Sequence, residues 1–423
     1  MDLPAHIGSY EPLIRLASGG MASLYVARHA GAGGFERLVV IKRVHRHLLG
    51  NREFCDMFLD EARISSLIRH SNVVPVIDIA EASSELFLVL EYVESLSLEQ
   101  LLAAAQQAGE LLPPPVVSRI MCDALAGLHA AHEAVDMRGV SMHVVHRDVS
   151  PHNILVDTHG MSSIIDFGIA KAESRLASTR SGQFKGKLRY MAPEQVKQQP
   201  LDRRADVFSA GVVLYEALTG QSLFRGADEG DTVLSVLVTE IPDPSSIAPG
   251  ISKALDAVAH EALERRRGQR FATASRFREA LEEACPPAAT DDVAAIVARL
   301  GGELLGRRRE QLQAALARPT VGSPPKRRRR RVALALVALL AAGATATAAI
   351  VRANQGHASL APQPSAVAST NAEASVVPSE TLEAPRLDAG SIAPIPQRES
   401  RTRAPARAAS PADLHRKNPY ASP

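Results

Sequence analysis

The residues with the clearest capacity for chemistry lie in one stretch in the middle of the chain. Three short motifs follow one another there: His146-Arg147-Asp148 with Asn153, then Asp166-Phe167-Gly168, then Ala192-Pro193-Glu194. A loop carboxylate can act as a general base toward a hydroxyl within hydrogen-bond reach, and Asp148 is suited to that role. Magnesium prefers oxygen ligands, which Asn153 and Asp166 supply. We therefore expect a general base beside a magnesium site, because chance rarely produces three such motifs in this order.

A second candidate is a glycine-containing turn near the N-terminus. Apolar residues on both sides of Gly19-Gly20 predict two strands joined by a tight turn, in which backbone N–H groups approach phosphate oxygens closely. Such turns also join strands without any ligand, so this motif alone is a weak indication. The predicted nucleotide-binding residues of the segment are Leu16, Ala17, Ser18, Gly19, Gly20, Met21, Ala22, Ser23 and Leu24.

Lys42 ends a β-branched run and is the third candidate. Burying an unpaired ammonium is costly, so this lysine either lies at a solvated strand end or pairs with a carboxylate. In the functional interpretation, Lys42 contacts the α- and β-phosphates of a nucleotide and pairs with a glutamate on a helix. Glu61 is the predicted partner, ahead of Glu53. Glu61 lies on a predicted helix whose apolar stripe comprises Phe54, Phe58, Ala62 and Leu67.

A folded domain must position these residues, and the composition of the chain is that of a protein with a packed core. The chain has 423 residues, of which 46% are hydrophobic and 22% charged, with a formal net charge of +2. That balance argues against a nucleic-acid-binding domain. Three cysteines without metal-ligand spacing (Cys55, Cys122 and Cys285) predict reduced thiols rather than a disulfide framework. From residue 7 to residue 285, strand-like and helix-like segments alternate, which indicates one large domain.

With these motifs, the segment from Tyr10 to Cys285 resembles the eukaryotic-like Ser/Thr protein kinases of bacteria. The resemblance implies an α+β, bilobal kinase fold over residues 7–285, with a small β-rich N-lobe and a larger helical C-lobe. It also implies ATP and Mg²⁺ as cofactors, and adenine pairing by the backbone of Glu91 and Val93 in a hinge. The catalytic residues that it implies are Lys42, Glu61, Asp148, Asn153 and Asp166, with Asp206 bracing the catalytic loop and Arg270 pairing with Glu194.

Three departures from this family stand out. Ser150 occupies a position where Ser/Thr kinases usually carry a lysine that contacts the transferred phosphate, and Lys187 replaces a usual threonine. We expect the loss of a cation to weaken stabilisation of the transition state, unless Lys187 reaches back toward Asp148 and restores the charge. Ala17 and Ala22 replace two glycines of the loop over the phosphates, which we expect to raise the KM for ATP.

Arg147, directly before the catalytic aspartate, resembles the arginine of kinases that are controlled by phosphorylation of the activation loop. A phosphate on that loop would pair with the arginine and order the loop. Thr179 and Ser181 are the predicted phosphorylation sites. The alternative is a polar surface loop whose hydroxyl groups have no such role.

The chain continues beyond the kinase-like region in three segments. Residues 286–331 are predicted to be a helical and basic juxtamembrane segment, in which residues 290–317 are either a spacer or a dimer contact. Residues 332–351 carry no charge, and twenty apolar residues at 1.5 Å rise span roughly the 30 Å of a bilayer core. A soluble alanine-rich helix is the alternative. The Ala/Pro/Ser-rich tail, residues 352–423, is predicted to be disordered and extracytoplasmic, either as a stalk or as filler.

The basic run Lys326–Arg331 precedes the apolar segment and sets the expected topology. Cytoplasmic flanks carry an excess of Lys and Arg, so we expect a single-pass protein of the bacterial inner (plasma) membrane with a cytoplasmic kinase domain. The same run is predicted to attract anionic lipids. A homodimer is a further possible partner state, and no nucleic acid is expected.

The favoured function is an active, autophosphorylating Ser/Thr kinase that transfers the γ-phosphoryl group of ATP to protein substrates in membrane-linked signalling. Tyrosine specificity is less favoured by the resemblance, although the lysine and threonine that usually mark Ser/Thr kinases are absent. The rival function is a membrane-tethered pseudokinase that recruits partners. Ser150 supports that rival, and the complete set of Asp148, Asn153 and Asp166 opposes it.

Overall fold

The computed structural model describes residues 3–31, 35–82, 85–167 and 187–318. The chain divides into two compact units, residues 1–324 and 325–423, and the second lies outside the described residues. The predicted phosphorylation sites Thr179 and Ser181, the basic run Lys326–Arg331, the apolar segment 332–351 and the tail 352–423 all lie outside them as well.

The small lobe is one antiparallel sheet with a helix packed on it. Its strands, in the spatial order β1-β2-β3-β5-β4, are β1 (Tyr10–Ser18), β2 (Ala22–Ala30), β3 (Glu36–Val44), β4 (Val76–Ala82) and β5 (Glu85–Glu91). Helix α1 (Arg52–Leu67) begins where the Asn51 side chain accepts a hydrogen bond from the Phe54 amide at 3.1 Å. The predicted strand around Lys42 and the predicted turn at Gly19-Gly20 are therefore confirmed.

Helix α1 buries one face, and that face differs from the predicted stripe at one residue. Phe54, Phe58 and Ala62 are buried as predicted, but Leu67 is 41% exposed and Ser65 is buried instead. The reason is helix geometry: Ser65 lies three residues after Ala62, on the same face, whereas Leu67 lies five residues after it.

The large lobe is helical. Its helices are α2 (Leu98–Gln107), α3 (Pro114–His132), α4 (Pro193–Val196), α5 (Arg204–Thr219), α6 (Glu229–Val238), α7 (Pro244–Ile247), α8 (Lys253–Ala262) and α9 (Ala274–Ala284). A small sheet of β6 (Ser95–Ser97), β7 (Ile154–Asp157) and β8 (Ser162–Ile164) flanks the catalytic loop. Helix α5 is buried on every side, as expected for the central helix of a large core. The predicted bilobal α+β fold is confirmed.

A long final helix, α10 (Thr290–Leu316), packs against both lobes. Val293, Val297 and Leu305 join the large-lobe core, while Leu312 and Ala315 form a separate cluster with residues of β1 and β2. Ile296 and Leu300 also pack against the large-lobe core, whereas Leu304 is 37% exposed. The sequence leaves open whether residues 290–317 are a spacer or a dimer contact. In the structure, α10 packs on the kinase-like domain of its own chain.

None of the helices within the described ranges is both long enough and apolar enough to cross a membrane.

Candidate active site

Lys42 lies at the centre of a buried group of charges. Its ammonium donates to Asp166 Oδ1 at 2.8 Å and to Glu61 Oε1 at 3.5 Å. Burial by itself lowers the pKa of Lys42, but the carboxylates of Asp166 and Glu61 outweigh that effect and raise the pKa above its ordinary value. The lysine is therefore a fixed positive charge. Glu61 is its glutamate partner, and Glu53 is exposed in the first turn of α1.

Asp148 and Asn153 lie on one loop and contact each other directly. The amide of Asn153 donates to the Asp148 carboxylate at 2.9 Å and to the Asp148 carbonyl at 2.7 Å. The Ile165 amide donates to the Asn153 carbonyl at 3.0 Å, which ties the chain next to Asp166 to this loop. Asp166 itself has a left-handed backbone, with φ at 58°. A carboxylate and an amide oxygen from these residues fit the oxygen-rich ligand set that Mg²⁺ prefers.

Asp206 braces the catalytic loop from α5. Its two carboxylate oxygens accept the amides of His146 and Arg147 at 2.7 and 2.8 Å. Burial by itself would raise the pKa of Asp206, but the hydrogen bond from His132 and the adjoining histidines lower it below its ordinary value. The bracing role was predicted for Asp206. The contribution of His132, whose Nε2 lies 2.8 Å from Asp206 Oδ2, was missed because no motif marks it.

Lys187 reaches the catalytic carboxylate. Its Nζ lies 2.8 Å from Asp148 Oδ2, and its side chain is 25% exposed, compared with 3% for Asp148. Lys187 also acts electrostatically on His152, whose Nε2 lies 2.8 Å from the Glu99 carboxylate. Burial lowers the pKa of His152, Glu99 opposes that effect, and Lys187 adds to it. The contact predicted between Lys187 and Asp148 is thus present, while its effect on turnover stays a prediction.

The predicted nucleotide-binding segments lie at the turn and at the lobe junction. Residues 16–24 comprise the end of β1, the turn and the start of β2, where the Gly19 amide donates to the Ala22 carbonyl at 2.9 Å. Glu91 is the last residue of β5, and Val93 follows it before β6. Met21 and Val93 both pack on the small-lobe core that contains Phe54. Their roles in ATP binding stay predictions.

The segment after Lys187 is fastened to the large lobe. Glu194 and Arg270 form a bidentate ion pair at 2.7 and 2.9 Å, with side chains at most 2% exposed, as expected for this pair. Gln195 was missed by sequence reasoning: its amide donates to the Arg147 carbonyl at 3.0 Å and so joins this segment to the catalytic loop. Only the three-dimensional fold reveals this contact, because the two residues are 48 positions apart.

A cavity of about 590 Å³ adjoins the catalytic loop in the large lobe. Pro151, Arg189 and Tyr190 line its side nearest the loop, and α2, residues 109–112 and the end of α5 line the rest. Three glutamates line it, and each is paired with a basic side chain: Glu99 with His152, Glu110 with Arg299 and Glu216 with Arg189.

Comparison with known proteins identifies the fold and its family. Residues 10–282 match the family described as protein kinase domain. The crystal structure of the Mycobacterium tuberculosis PknI kinase domain aligns with a TM-score of 0.51 and 23% identity, covering 67% of this chain and 100% of that chain. At that identity the likeness establishes the fold alone.

Curated relatives include kinases of several bacteria. The tyrosine-protein kinase MasK of Myxococcus xanthus is 41% identical over 275 residues, which cover 65% of this chain and 43% of MasK. The serine/threonine-protein kinase PknH of Mycobacterium bovis is 33% identical over 318 residues, covering 75% of this chain and 51% of PknH. PrkC of Bacillus subtilis, also named a serine/threonine-protein kinase, is 30% identical over 267 residues, with 63% and 39% covered. The chain spans about half the length of such relatives or less.

The match covers well over half of the chain and includes the ion pair of Lys42 with Glu61, the loop of Asp148 and Asn153, and Asp166. The chain therefore belongs to the protein kinase family, in agreement with the resemblance to bacterial kinases of the eukaryotic type.

Proposed function

We propose that this protein is an active protein kinase that transfers the γ-phosphoryl group of ATP to serine and threonine hydroxyls of proteins. The observation that carries the proposal is the intact set of charges around Lys42 and Asp148. Lys42 is paired with Glu61 and Asp166, and Asp148 is held by Asn153 on the adjoining loop. Each group has the chemistry that phosphoryl transfer requires.

In this proposal, some residues bind ATP and one accepts a proton. Lys42, permanently charged, binds the α- and β-phosphates, and Glu61 holds its ammonium in place. The turn at residues 16–24 covers the phosphates with backbone N–H groups, and Glu91 and Val93 pair with adenine through their backbone. Asp148 orients the acceptor hydroxyl and takes its proton as the new phosphate ester forms. Bracing by Asp206 keeps this carboxylate in position.

Magnesium fits the site through Asp166 and Asn153, whose oxygens would hold it. When bound, the ion would offset the negative charge of the phosphates. Two protein ligands are enough, because Mg²⁺ in such sites completes its coordination with phosphate oxygens and water.

Tyrosine phosphorylation is a second candidate activity, favoured by two observations. Ser150 and Lys187 stand where the usual lysine and threonine of Ser/Thr kinases would be. In addition, MasK, at 41% identity, is named a tyrosine-protein kinase. Acid hydrolysis of the labelled protein and separation of the phosphoamino acids tests the choice. Phosphoserine and phosphothreonine support the proposal, and phosphotyrosine alone would replace it.

A scaffolding pseudokinase is the alternative from another class. It would bind partners through the same fold without turnover. The ion pairs of Lys42 oppose this alternative, since they would have no catalytic purpose in a pure scaffold. An active wild type beside an inactive Asp148→Asn variant excludes the scaffold, whereas inactivity of both proteins at high ATP supports it.

Autophosphorylation at Thr179 and Ser181 is the proposed switch. Arg147, the proposed partner of the phosphate, has a left-handed backbone with φ at 65°, and its Nε atom is buried without a hydrogen-bond partner among the described residues. A phosphate would satisfy this donor. Mass spectrometry after incubation with ATP tests the sites, and phosphate found exclusively at other residues would refute them.

Membrane attachment is proposed from the sequence beyond the described region. Helix α10 ends at Leu316, ten residues before the basic run Lys326–Arg331 and the apolar segment 332–351. We expect a bacterial inner-membrane protein with a cytoplasmic kinase domain, in which the basic run binds anionic lipids and dimers are possible. Fractionation of cells that express the whole chain and a variant without residues 332–351 tests this. Equal distribution of the two proteins would contradict the proposal.

A further inference from the structure

The catalytic loop lacks a positive charge at residue 150. Ser150 is 1% exposed, and its hydroxyl has no hydrogen-bond partner within the described parts of the chain. A buried hydroxyl at this position cannot neutralise a phosphate. If the protein transfers phosphoryl groups as proposed above, another residue would take over the charge that the usual lysine places beside the transferred group.

Lys187 is placed for that task. Its Nζ lies 2.8 Å from Asp148 Oδ2. A general base lies within about 3 Å of the hydroxyl that it activates. That hydroxyl oxygen attacks the phosphorus atom, so an ammonium in contact with Asp148 lies next to the transferred group. An ammonium has three donors, and it can contact a carboxylate and a phosphate oxygen at once.

The segment that carries Lys187 is held in position. The 3₁₀ turn Leu188–Tyr190 follows directly, and the side chains of Leu188 and Tyr190 are buried. The Tyr190 hydroxyl donates to Glu216 at 2.5 Å. Gln195 ties the same segment to the catalytic loop at the Arg147 carbonyl. The chain that follows Lys187 is therefore held next to the catalytic loop.

Two other cations near the site, among the residues that the structure describes, have different partners. Lys42 is engaged by Asp166 and Glu61. Arg189 lies over the Tyr190 ring at 4.9 Å and faces Glu216 at 3.5 Å. Lys187 is thus the cation that the described structure brings to the catalytic carboxylate.

We propose that Lys187 is a catalytic residue that supplies the positive charge for the transferred phosphoryl group in place of a lysine at residue 150. The proposal rests on the kinase activity proposed above. The acceptor hydroxyl oxygen forms a bond to the γ-phosphorus, and the bond from the γ-phosphorus to the bridging oxygen breaks. Its electron pair leaves with ADP, and the hydroxyl proton passes to Asp148. Lys187 stays protonated and neutralises charge on the γ-phosphoryl oxygens.

Steady-state kinetics of the full-length chain with Mg-ATP and casein tests this role. Lys187→Met removes the charge and keeps the length of the side chain, whereas Lys187→Arg keeps the charge. We expect kcat to fall about 100- to 1000-fold in the Met variant, as for other lost transition-state donors. The KM for ATP should change little, because the interaction strengthens in the transition state. The Arg variant should retain at least about a tenth of the wild-type kcat.

Lys197→Ala is the matched control, since Lys197 is an exposed lysine ten residues along the same segment. It should behave as wild type. A Met variant with kcat within threefold of wild type, or an equal loss in the Met and Arg variants, would overturn the proposal, the second result by indicating a packing role. A wild type without any transfer would overturn the kinase activity itself, and the Lys187 role with it. These two failures are therefore distinguishable.

Discussion

Gly301 of α10 lies against β6, and a single methyl group there tests whether this helix is docked on the kinase domain. A Cβ atom at residue 301 would lie 2.0 Å from Leu96 Cδ1 and 3.2 Å from Leu96 Cγ. Leu96 is 1% exposed, so its side chain has little space to move. The next residue, Gly302, has no heavy atom within 4 Å of the same position, and it provides a matched control in the same helix.

The magnitude follows from two opposing effects. Replacing a helical glycine by alanine stabilises a helix by up to about 1 kcal/mol, and Gly302→Ala should show that gain. Gly301→Ala has the same gain, but forcing a methyl group into a packed contact costs about 1–3 kcal/mol. The free energies of unfolding of the two variants should therefore differ by about 1–3 kcal/mol. At roughly 2 °C per kcal/mol for a domain of this size, their Tm values should differ by about 2–6 °C.

Thermal unfolding followed by circular dichroism at 222 nm, with urea titration as a second measurement, checks this difference. Gly301→Ala should unfold below Gly302→Ala in both experiments. Equal stabilisation by the two substitutions would refute the packing of α10 on β6. It would return residues 290–317 to a spacer or a dimer contact.

Three further predictions follow from the core and the site. Arg270→Met leaves the Glu194 carboxylate buried and unpaired, so urea unfolding should show a loss of about 3–5 kcal/mol, and a loss below 1 kcal/mol would contradict the buried pair. Adding Ser150→Lys to Lys187→Met should raise kcat at least about tenfold over the single variant, because either lysine can supply the charge; no gain would show that the positions are not equivalent. Burial raises the pKa of Cys122 to about 12, so iodoacetamide at pH 8 should leave this thiol unlabelled until urea unfolds the protein, with labelling that rises with pH. Rapid labelling of native Cys122 at pH 8, read by peptide mass spectrometry, would contradict its burial.

Local patterns made much of the site predictable from the sequence. The loop from Asp148 to Asn153 spans six residues, so its geometry depends mainly on its own backbone and on the hydrogen bonds that Asp206 accepts from the two preceding residues. Likewise, a β-branched run ending in Lys42 predicts a buried strand, and the cost of a buried ammonium points to a carboxylate partner. The choice of Glu61 over Glu53 followed from helix periodicity, and the structure pairs Glu61 with Lys42.

Contacts between distant segments could not be predicted in the same way. The basic triplet at residues 307–309 lies in the segment that is predicted to be helical and basic. In the structure, Arg308 donates to the Ser95 carbonyl at 2.8 Å, and Arg309 pairs with Glu94 at 2.5 Å. These partners are more than 200 residues away, and α10 meets them because its apolar face packs across both lobes. Periodicity identifies such a face but not the surface that it covers.

Transfer of the γ-phosphoryl group by Asp148 is the central claim, and one experiment tests it most directly. The wild-type chain and Asp148→Asn are incubated side by side with Mg²⁺ and γ-labelled ATP. Asparagine preserves the size of the side chain but is a far weaker base, so stable label is predicted on the wild type and none on the variant. Equal labelling of both proteins, or label on neither at high enzyme and ATP, would contradict the assignment of Asp148 as the catalytic base.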